Sequence, residues 1–277
     1  MVVKVLIFAL GALNAKSESY YHVFILRMAL TRIRNLSNNI ALFDADIILY
    51  AVGFTTQDVE EEYIIDSRIE EYLSERFAVL PEKHEFYLSH PTLYRKQKYP
   101  DYKENRKDFV RPKWHGYIKD YLVENYGAVM QEGFEADDLL GIRGTELNGT
   151  GIIVSVDKDL YQIPGHHFNL RHKTFHYVTD EEAFDWYATQ CLTGDKIDNI
   201  EGLAGIGPAR ASKILMGATT REDYFRAIFD GYFDRGSTTE ASVKCSELVY
   251  IYRSYQAPTE KYTSPYAKWL VSQGLLD

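Results

Sequence analysis

Gly151-Ile152-Ile153-Val154-Ser155-Val156-Asp157-Lys158-Asp159 is the stretch that decides the fold. From Gly151 to Val156 it is a near-continuous apolar run. A run without polar alternation is covered on both faces and reads as a central parallel strand. A second run, Asn39–Tyr50 (NIALFDADIILY), begins as a buried strand with Asp44 near its end. Between them, 58–77 carries Val59, Ile64, Ile65, Ile69, Tyr72, Leu73 and Phe77 at helical spacing, and 84–89 (HEFYLS) is a short strand. Residues 114–126 read as a helix stopped by Gly127 at its C′ position. A short strand follows at 128–131, and 135–142 opens another helix with acids in its first turn, where the helix dipole tolerates negative charge. Strands alternating with helices specify an α/β fold with a mostly parallel open sheet flanked by helices. Ligands of such sheets bind beyond the carboxyl ends of the strands, where Asp44 and Asp157 both lie.

Four acidic stretches work outward from that edge: Asp44, Glu135-Ala136-Asp137-Asp138, Asp157-Lys158-Asp159 and Asp195-Lys196-Ile197-Asp198-Asn199. Each follows or ends an apolar run, where carboxylates are costly to place. Convergence would require an offset to their repulsion, and divalent cations with oxygen ligands supply one. Each stretch alone has a simpler reading. Asp157 and Asp159 share a face if the segment is extended, or sit in a solvated turn. Glu135 and its neighbours could be helix capping. Asp195 and Asp198 are neighbours on a helix face, or belong to an Asx turn. Four sites with one signature favour metal.

Gly205-Ile206-Gly207-Pro208-Ala209-Arg210-Ala211 places two glycines around an apolar residue just before a helix start, with Pro208 in the first turn. Such a turn lets backbone N–H groups approach phosphate without reading a base; the alternative is a helix–turn–helix corner with no ligand. Residues 94–114 are basic, with Arg95, Lys96, Lys98, Lys103, Arg106, Lys107, Arg111 and Lys113 interleaved with Tyr99, Tyr102 and Phe109. That mixture suits a single strand or strand end, and otherwise is a solvated loop.

The 277 residues are 45% hydrophobic with a formal net charge of −9, long enough for one large domain or a main domain with an appendage. The acidic sum says little about a polyanionic partner when the acids are clustered. The two cysteines, Cys191 and Cys245, match neither zinc spacing nor a disulfide framework, which points to a reducing compartment. No apolar run approaches the roughly 20 residues of a membrane span. Val2–Leu13 reads as a weak signal peptide, a buried first segment or an upstream extension, and Met28 is an alternative start.

These residues resemble the flap endonuclease/5′→3′ exonuclease family, which includes the 5′-nuclease domain of bacterial DNA polymerase I and stand-alone bacteriophage exonucleases. Tyr99-Pro100-Asp101-Tyr102-Lys103-Glu104-Asn105-Arg106 matches the family's YPxYKxNR, Phe134 to Asp138 its EADD, and Ser155 to Asp159 its SxDKD. Thr193 to Ile200, with Gly202 and Gly205-Ile206-Gly207, matches the helix–three-turn–helix signature. The match runs from about Asn39 to Leu215. The resemblance implies a PIN-like core at 38–183 with an arch near 95–126, a helix-hairpin-helix-like DNA-binding subdomain and tail at 184–277, and an N-terminal extension at 1–37. It implies two divalent ions, Mg²⁺ with Mn²⁺ able to substitute. Asp44, Glu135, Asp137 and Asp138 would serve the first, Asp157 and Asp159 would lie near both, and Asp195 and Asp198 would complete the second. Asp44, Asp137 and Asp157 would be catalytic with Lys103 and Arg106, which would contact the scissile phosphate; Tyr102 would stack on a terminal base. DNA contacts would come from Arg95, Lys96, Tyr102, Lys103, Arg106, Lys107, Gly205, Gly207, Arg210 and Lys213, with K⁺ at the Gly205–Gly207 hairpin. The implied activity is metal-dependent hydrolysis of DNA near 5′ ends and flaps at duplex junctions, by a cytoplasmic monomer with no membrane partner, in the host cytoplasm if phage-encoded. A non-catalytic junction binder and a PIN-type ribonuclease are the alternatives. One departure stands out: the family has a further Asp in the strand before Arg95, where this chain reads Phe86-Tyr87-Leu88-Ser89-His90-Pro91. Ser89 or His90 is expected in its place.

Overall fold

The computed structural model describes residues 39–277. The apolar run 2–13 and Met28 lie outside the described residues. Strand β1 (Ile40–Asp44) leads into helix α1 (Asp46–Thr55) and then α2 (Glu62–Phe77). Strand β2 (Lys83–Leu88), the short α3 (Tyr94–Lys98), α4 (His115–Tyr126), β3 (Val129–Met130), α5 (Ala136–Glu146) and β4 (Gly151–Ser155) follow. Strands β5 (Gly165–Asn169) and β6 (Thr174–Val178) close the sheet. Its order is β3-β2-β1-β4-β5-β6. Every pairing is parallel except β5 with β6.

The two central strands are apolar on both sides because both sides are covered. Ala41, Phe43, Ile152 and Val154 pack with α1, α2 and α4, and Phe43 stacks on Phe86 at 4.8 Å. Leu42 and Ile153 point the other way, toward Leu139, Leu140 and Ile142 of α5. Asp44 ends β1 opposite Tyr87 of β2, and β4 ends at Ser155. The acids that follow these strands therefore share one edge.

The chain then becomes helical. Helix α6 (Asp180–Thr193) starts at a capping box in which Thr179 and Glu182 satisfy each other's backbone N–H. A two-stranded hairpin, β7 (Gly194–Asp195) and β8 (Ile200–Glu201), follows. Gly194 has φ +61, and a Cβ there would lie 2.3 Å from the Ile200 carbonyl oxygen, so only glycine fits. Helices α7 (Pro208–Ile214), α8 (Arg221–Phe233), α9 (Thr239–Val249) and α10 (Pro265–Ser272) complete the chain. Leu192, Leu203, Ile206, Ile228, Leu248, Tyr266 and Leu270 form their core, together with both cysteines, which are buried and unbridged. No described helix is long and apolar enough to cross a membrane.

Tyr266 is fully buried, and the segment after α9 reaches back to brace the site.

Candidate active site and nucleic-acid interface

A cleft of about 1040 Å³ opens at the carboxyl edge of the sheet. Asp44, Glu135, Asp137, Asp157, Asp159, Asp195 and Asp198 all line it. Acids separated by more than 150 positions in the chain thus share one space. Among the described residues no three of them close into a preformed metal-ligating group; they are spread along the walls. Mg²⁺ needs no such cage, because it keeps several waters and takes one or two carboxylates plus substrate phosphate.

The acids fall into two electrostatic classes. Asp44 is 6% exposed and accepts a hydrogen bond from the Ser155 hydroxyl at 2.9 Å. Burial, then the charges of Asp46 and Asp157, push its carboxyl up to about 8. Burial and the neighbouring Asp157 and Asp44 push Asp137 well above the usual carboxylate range. Among the described residues Asp137 has no hydrogen-bond or salt-bridge partner. Burial, Asp157 and Asp195 raise Asp159 to about 7. Among the described residues none of these three carboxyls has a salt bridge, and as carboxylates they would offer the oxygen donors that a divalent cation takes. Glu135 is the opposite case. Burial would raise it, but Lys103 and Arg95 outweigh burial and bring it down to about 2.

Local geometry corrects several expectations. Asp157 and Asp159 do not alternate on an extended segment. Lys158 is helical, Asp159 begins a 3-10 turn, and its N–H donates to Asp157 Oδ1 at 2.8 Å. Asp195 and Asp198 are not on a helix; the Ile197 N–H donates to Asp195 Oδ1 at 2.8 Å, an Asx turn between β7 and β8.

Asp138 and Arg95 are corrected together. Asp138 is 0% exposed and does not line the cleft. Its two oxygens receive Arg95 Nη1 at 2.5 Å and Nη2 at 2.7 Å, a bidentate pair. The backbone N–H of Glu135 and of Tyr252 also donate to it. With its acceptors filled from this side, Asp138 is not a ligand to a cation in the cleft. Arg95 is 6% exposed, and it also donates to Glu135 Oε2 at 3.0 Å and to the Tyr250 carbonyl. It cannot contact DNA; it anchors the acidic helix start. Tyr102 is corrected too. Its ring is 3% exposed, in the helical core, and its hydroxyl donates to Glu135 Oε2 at 2.8 Å. A buried ring stacks on no base.

Lys103 and Arg106 reach the acids. Lys103 Nζ pairs with Glu135 Oε1 and lies 3.2 Å from Asp198 Oδ2; Arg106 Nη2 pairs with Asp198 Oδ1. Lys96 and Lys107 line the same cleft and are exposed. Gly205, Gly207, Arg210 and Lys213 are exposed on the α7 surface, and Pro208 lies on the cleft rim. Gly205 has φ +72, and its carbonyl accepts from Arg210 Nη1 at 2.6 Å. Leu203 and Ile206 are buried beneath this turn.

Both expected stand-ins for the missing strand acid line the cleft. The Ser89 hydroxyl accepts from the Ala136 N–H at 2.9 Å, and His90 Nδ1 accepts from the Thr92 N–H at 3.0 Å. Sequence reasoning missed Asp46, the first residue of α1, which lines the cleft beside Asp44. Its signal was the second acid of Asp44-Ala45-Asp46, hidden because the run was read as strand. Also missed was an aromatic group at the mouth, where Tyr50 lies 5.8 Å from Phe109 and 5.4 Å from His115.

Residues 69–188 match the family of the 5′-3′ exonuclease N-terminal, resolvase-like domain. This match takes in less than half of the chain. The chain is 32% identical over 140 residues to flap endonuclease Xni of Shewanella baltica, covering 46% of this chain and 53% of that one. It is 33% identical over 141 residues to DNA polymerase I of Rhizobium leguminosarum, covering 44% of this chain and 14% of the polymerase. The chain thus spans about half the length of the Xni relatives it matches. In fold it resembles the bacteriophage T5 D15 flap endonuclease, solved as a pseudo-enzyme-product complex with DNA and metal ions. The TM-score is 0.59 at 16% identity, over 84% of this chain and 98% of that chain. The T5 D15 protein co-crystallised with metal ions gives 0.54 at 17% identity, over 76% and 88%.

Proposed function

We propose that the protein is a structure-specific, metal-dependent 5′ nuclease that hydrolyses DNA phosphodiesters near 5′ ends and flaps at duplex junctions. One observation carries the reading: carboxyl groups from four distant stretches line one cleft, several of them without a salt bridge among the described residues, beside two cations on a basic segment. The family of the matched domain and the nuclease names of its relatives support it.

Asp44, Asp137 and Asp157 would hold one divalent ion with Glu135 nearby, and Asp159, Asp195 and Asp198 a second. Mg²⁺ is the ion of choice, with Mn²⁺ as substitute. Two such ions supply water activation and neutralise charge on the attacking and leaving oxygens. The chain's own groups do the rest. Lys103 and Arg106 contact the scissile phosphate and stabilise charge that grows there. Tyr102 holds Glu135 in one orientation by its hydroxyl. The exposed turn at Gly205 and Gly207, with Arg210 and Lys213, takes the duplex backbone without reading sequence, with K⁺ as an added counterion. The protein works as a monomer, one cleft per chain.

The test is digestion of 5′-labelled flap, nicked and blunt substrates with Mg²⁺ and with chelator. Asp137→Ala and Asp157→Ala should abolish cleavage yet keep junction binding. Undiminished turnover by either variant, or cleavage in chelator, would refute the reading.

A further inference from the structure

Asp46 links two elements of the fold. It is the first residue of α1, yet its Oδ1 takes a hydrogen bond from the Ser89 N–H at 3.2 Å, across from the end of β2. Ser89 is fixed in turn through its hydroxyl to the Ala136 N–H, at the start of the acidic helix α5. Asp46 therefore sets a carboxylate at the terminus of β2, the position where residues 86–91 supply none. Asp44 stands two residues before it, and both line the cleft with Glu135 and Asp137. Two acids this close and this enclosed repel each other. Among the described residues Asp46 has no salt bridge; the Ser89 N–H, the helix start and the charge of Lys103 are what offset its enclosure beside Asp44. A hard cation prefers carboxylate oxygen to the hydroxyl or imidazole of the adjacent Ser89 and His90.

We propose that Asp46, held in place by Ser89, is a divalent-cation ligand of the first site, supplied from helix α1 in place of an acid on strand β2. The assignment rests on the nuclease reading of the cleft. It makes Ser89 a positioning residue whose backbone directs the carboxylate.

Mn²⁺ titration of the full chain without DNA, by calorimetry and by electron paramagnetic resonance of free Mn²⁺, tests the assignment. Asp46→Asn should weaken the tighter site at least about ten-fold, since loss of a mere supporting group already costs that much. Its melting temperature in chelator should equal or exceed that of the unaltered protein, because a buried repulsion is gone; a lower one would indicate a structural role and overturn the proposal. The double variant Asp46→Ser with Ser89→Asp should recover Mn²⁺ affinity. A folded double variant that binds no better than Asp46→Asn would overturn the shared place of the two positions. Asp44→Asn and Asp137→Asn are the controls. If they lose Mn²⁺ while Asp46→Asn keeps it, this proposal falls and the nuclease reading stands. If they too keep Mn²⁺, the nuclease reading fails and takes this one with it.

Discussion

Lys103 holds Asp198 twice: its backbone N–H donates to the Asp198 carbonyl at 2.9 Å, and its ammonium lies 3.2 Å from Asp198 Oδ2. Lys103 adopts φ 55, a left-handed conformation that turns the basic segment down onto the β7–β8 loop. Asn105 fastens the same contact by donating to the Lys196 and Ile197 carbonyls at 3.1 and 3.2 Å, and Asn199 donates to the Asp101 carbonyl at 2.7 Å. The cations proposed to meet phosphate are therefore neutralising acids of the cleft in this state. Substrate and metal would exchange these partners.

Lys103→Ala should accordingly slow cleavage by orders of magnitude while duplex affinity falls modestly. Single-turnover rates and equilibrium binding on one flap substrate measure the two separately. A large loss of affinity with an unchanged rate would mean that this lysine only anchors DNA.

The Arg95–Asp138 pair yields a stability prediction. Removing one partner of a buried, hydrogen-bonded ion pair costs about 3–5 kcal/mol, because the other charge is left uncompensated. Arg95→Met and Asp138→Asn should both lower the urea midpoint strongly. Junction affinity of the folded fraction should hardly change. A surviving midpoint with lost DNA binding would return Arg95 to the interface.

Proton linkage gives a third. The carboxyls of Asp44 and Asp159 are raised to about 8 and about 7 from an ordinary value of 3.8. A folded-state value above the unfolded one means that the native state holds the proton more tightly. The stability this contributes is present below the ordinary value and is lost as pH rises toward 8. In chelator, the melting temperature should therefore fall as pH approaches about 8, each kcal/mol amounting to about 2–4 °C in a chain of this size. Mn²⁺ affinity should rise over the same window, since the ligands must be deprotonated. Differential scanning calorimetry with and without Mn²⁺ checks both signs.

The exposed turn and α7 supply the last. Lys213→Ala and Arg210→Ala should each weaken duplex binding uniformly across sequences. Each should reduce the slope of log K against log salt by about one if it contacts a phosphate. An unchanged slope would remove that residue from the interface.

The central sheet was legible because Gly151–Ser155 and Ile40–Asp44 are apolar on both faces, a pattern few other elements produce. The strand-end acids followed from where such sheets bind ligands. What sequence could not reveal was direction. Asp137 and Asp138 are adjacent, yet one faces the cleft and the other the Arg95 guanidinium, a choice set by tertiary contacts from residues 250–252. Tyr102 carried an aromatic ring within a basic run, and only its place in the buried core of the helical part revealed that the ring is interior. Asp46 was obscured by the change from strand to helix one residue after Asp44.

The segment after α9 braces the acidic helix and its Arg95 anchor through main-chain atoms, the Tyr250 carbonyl on Arg95 and the Tyr252 N–H on Asp138, and through side chains, the Tyr252 ring against the Arg95 guanidinium at 4.4 Å and Ile251 beside Gly141. Substitution at Tyr252 would leave its N–H bond in place but take its ring from Arg95 and Phe134, whereas severance would lose both kinds of contact. A fragment trimmed to the matched span 69–188 would lose that keystone together with Asp44. Proteolytic nicking near residue 250 should thus disarm the cleft from behind, without a cut in any of its walls.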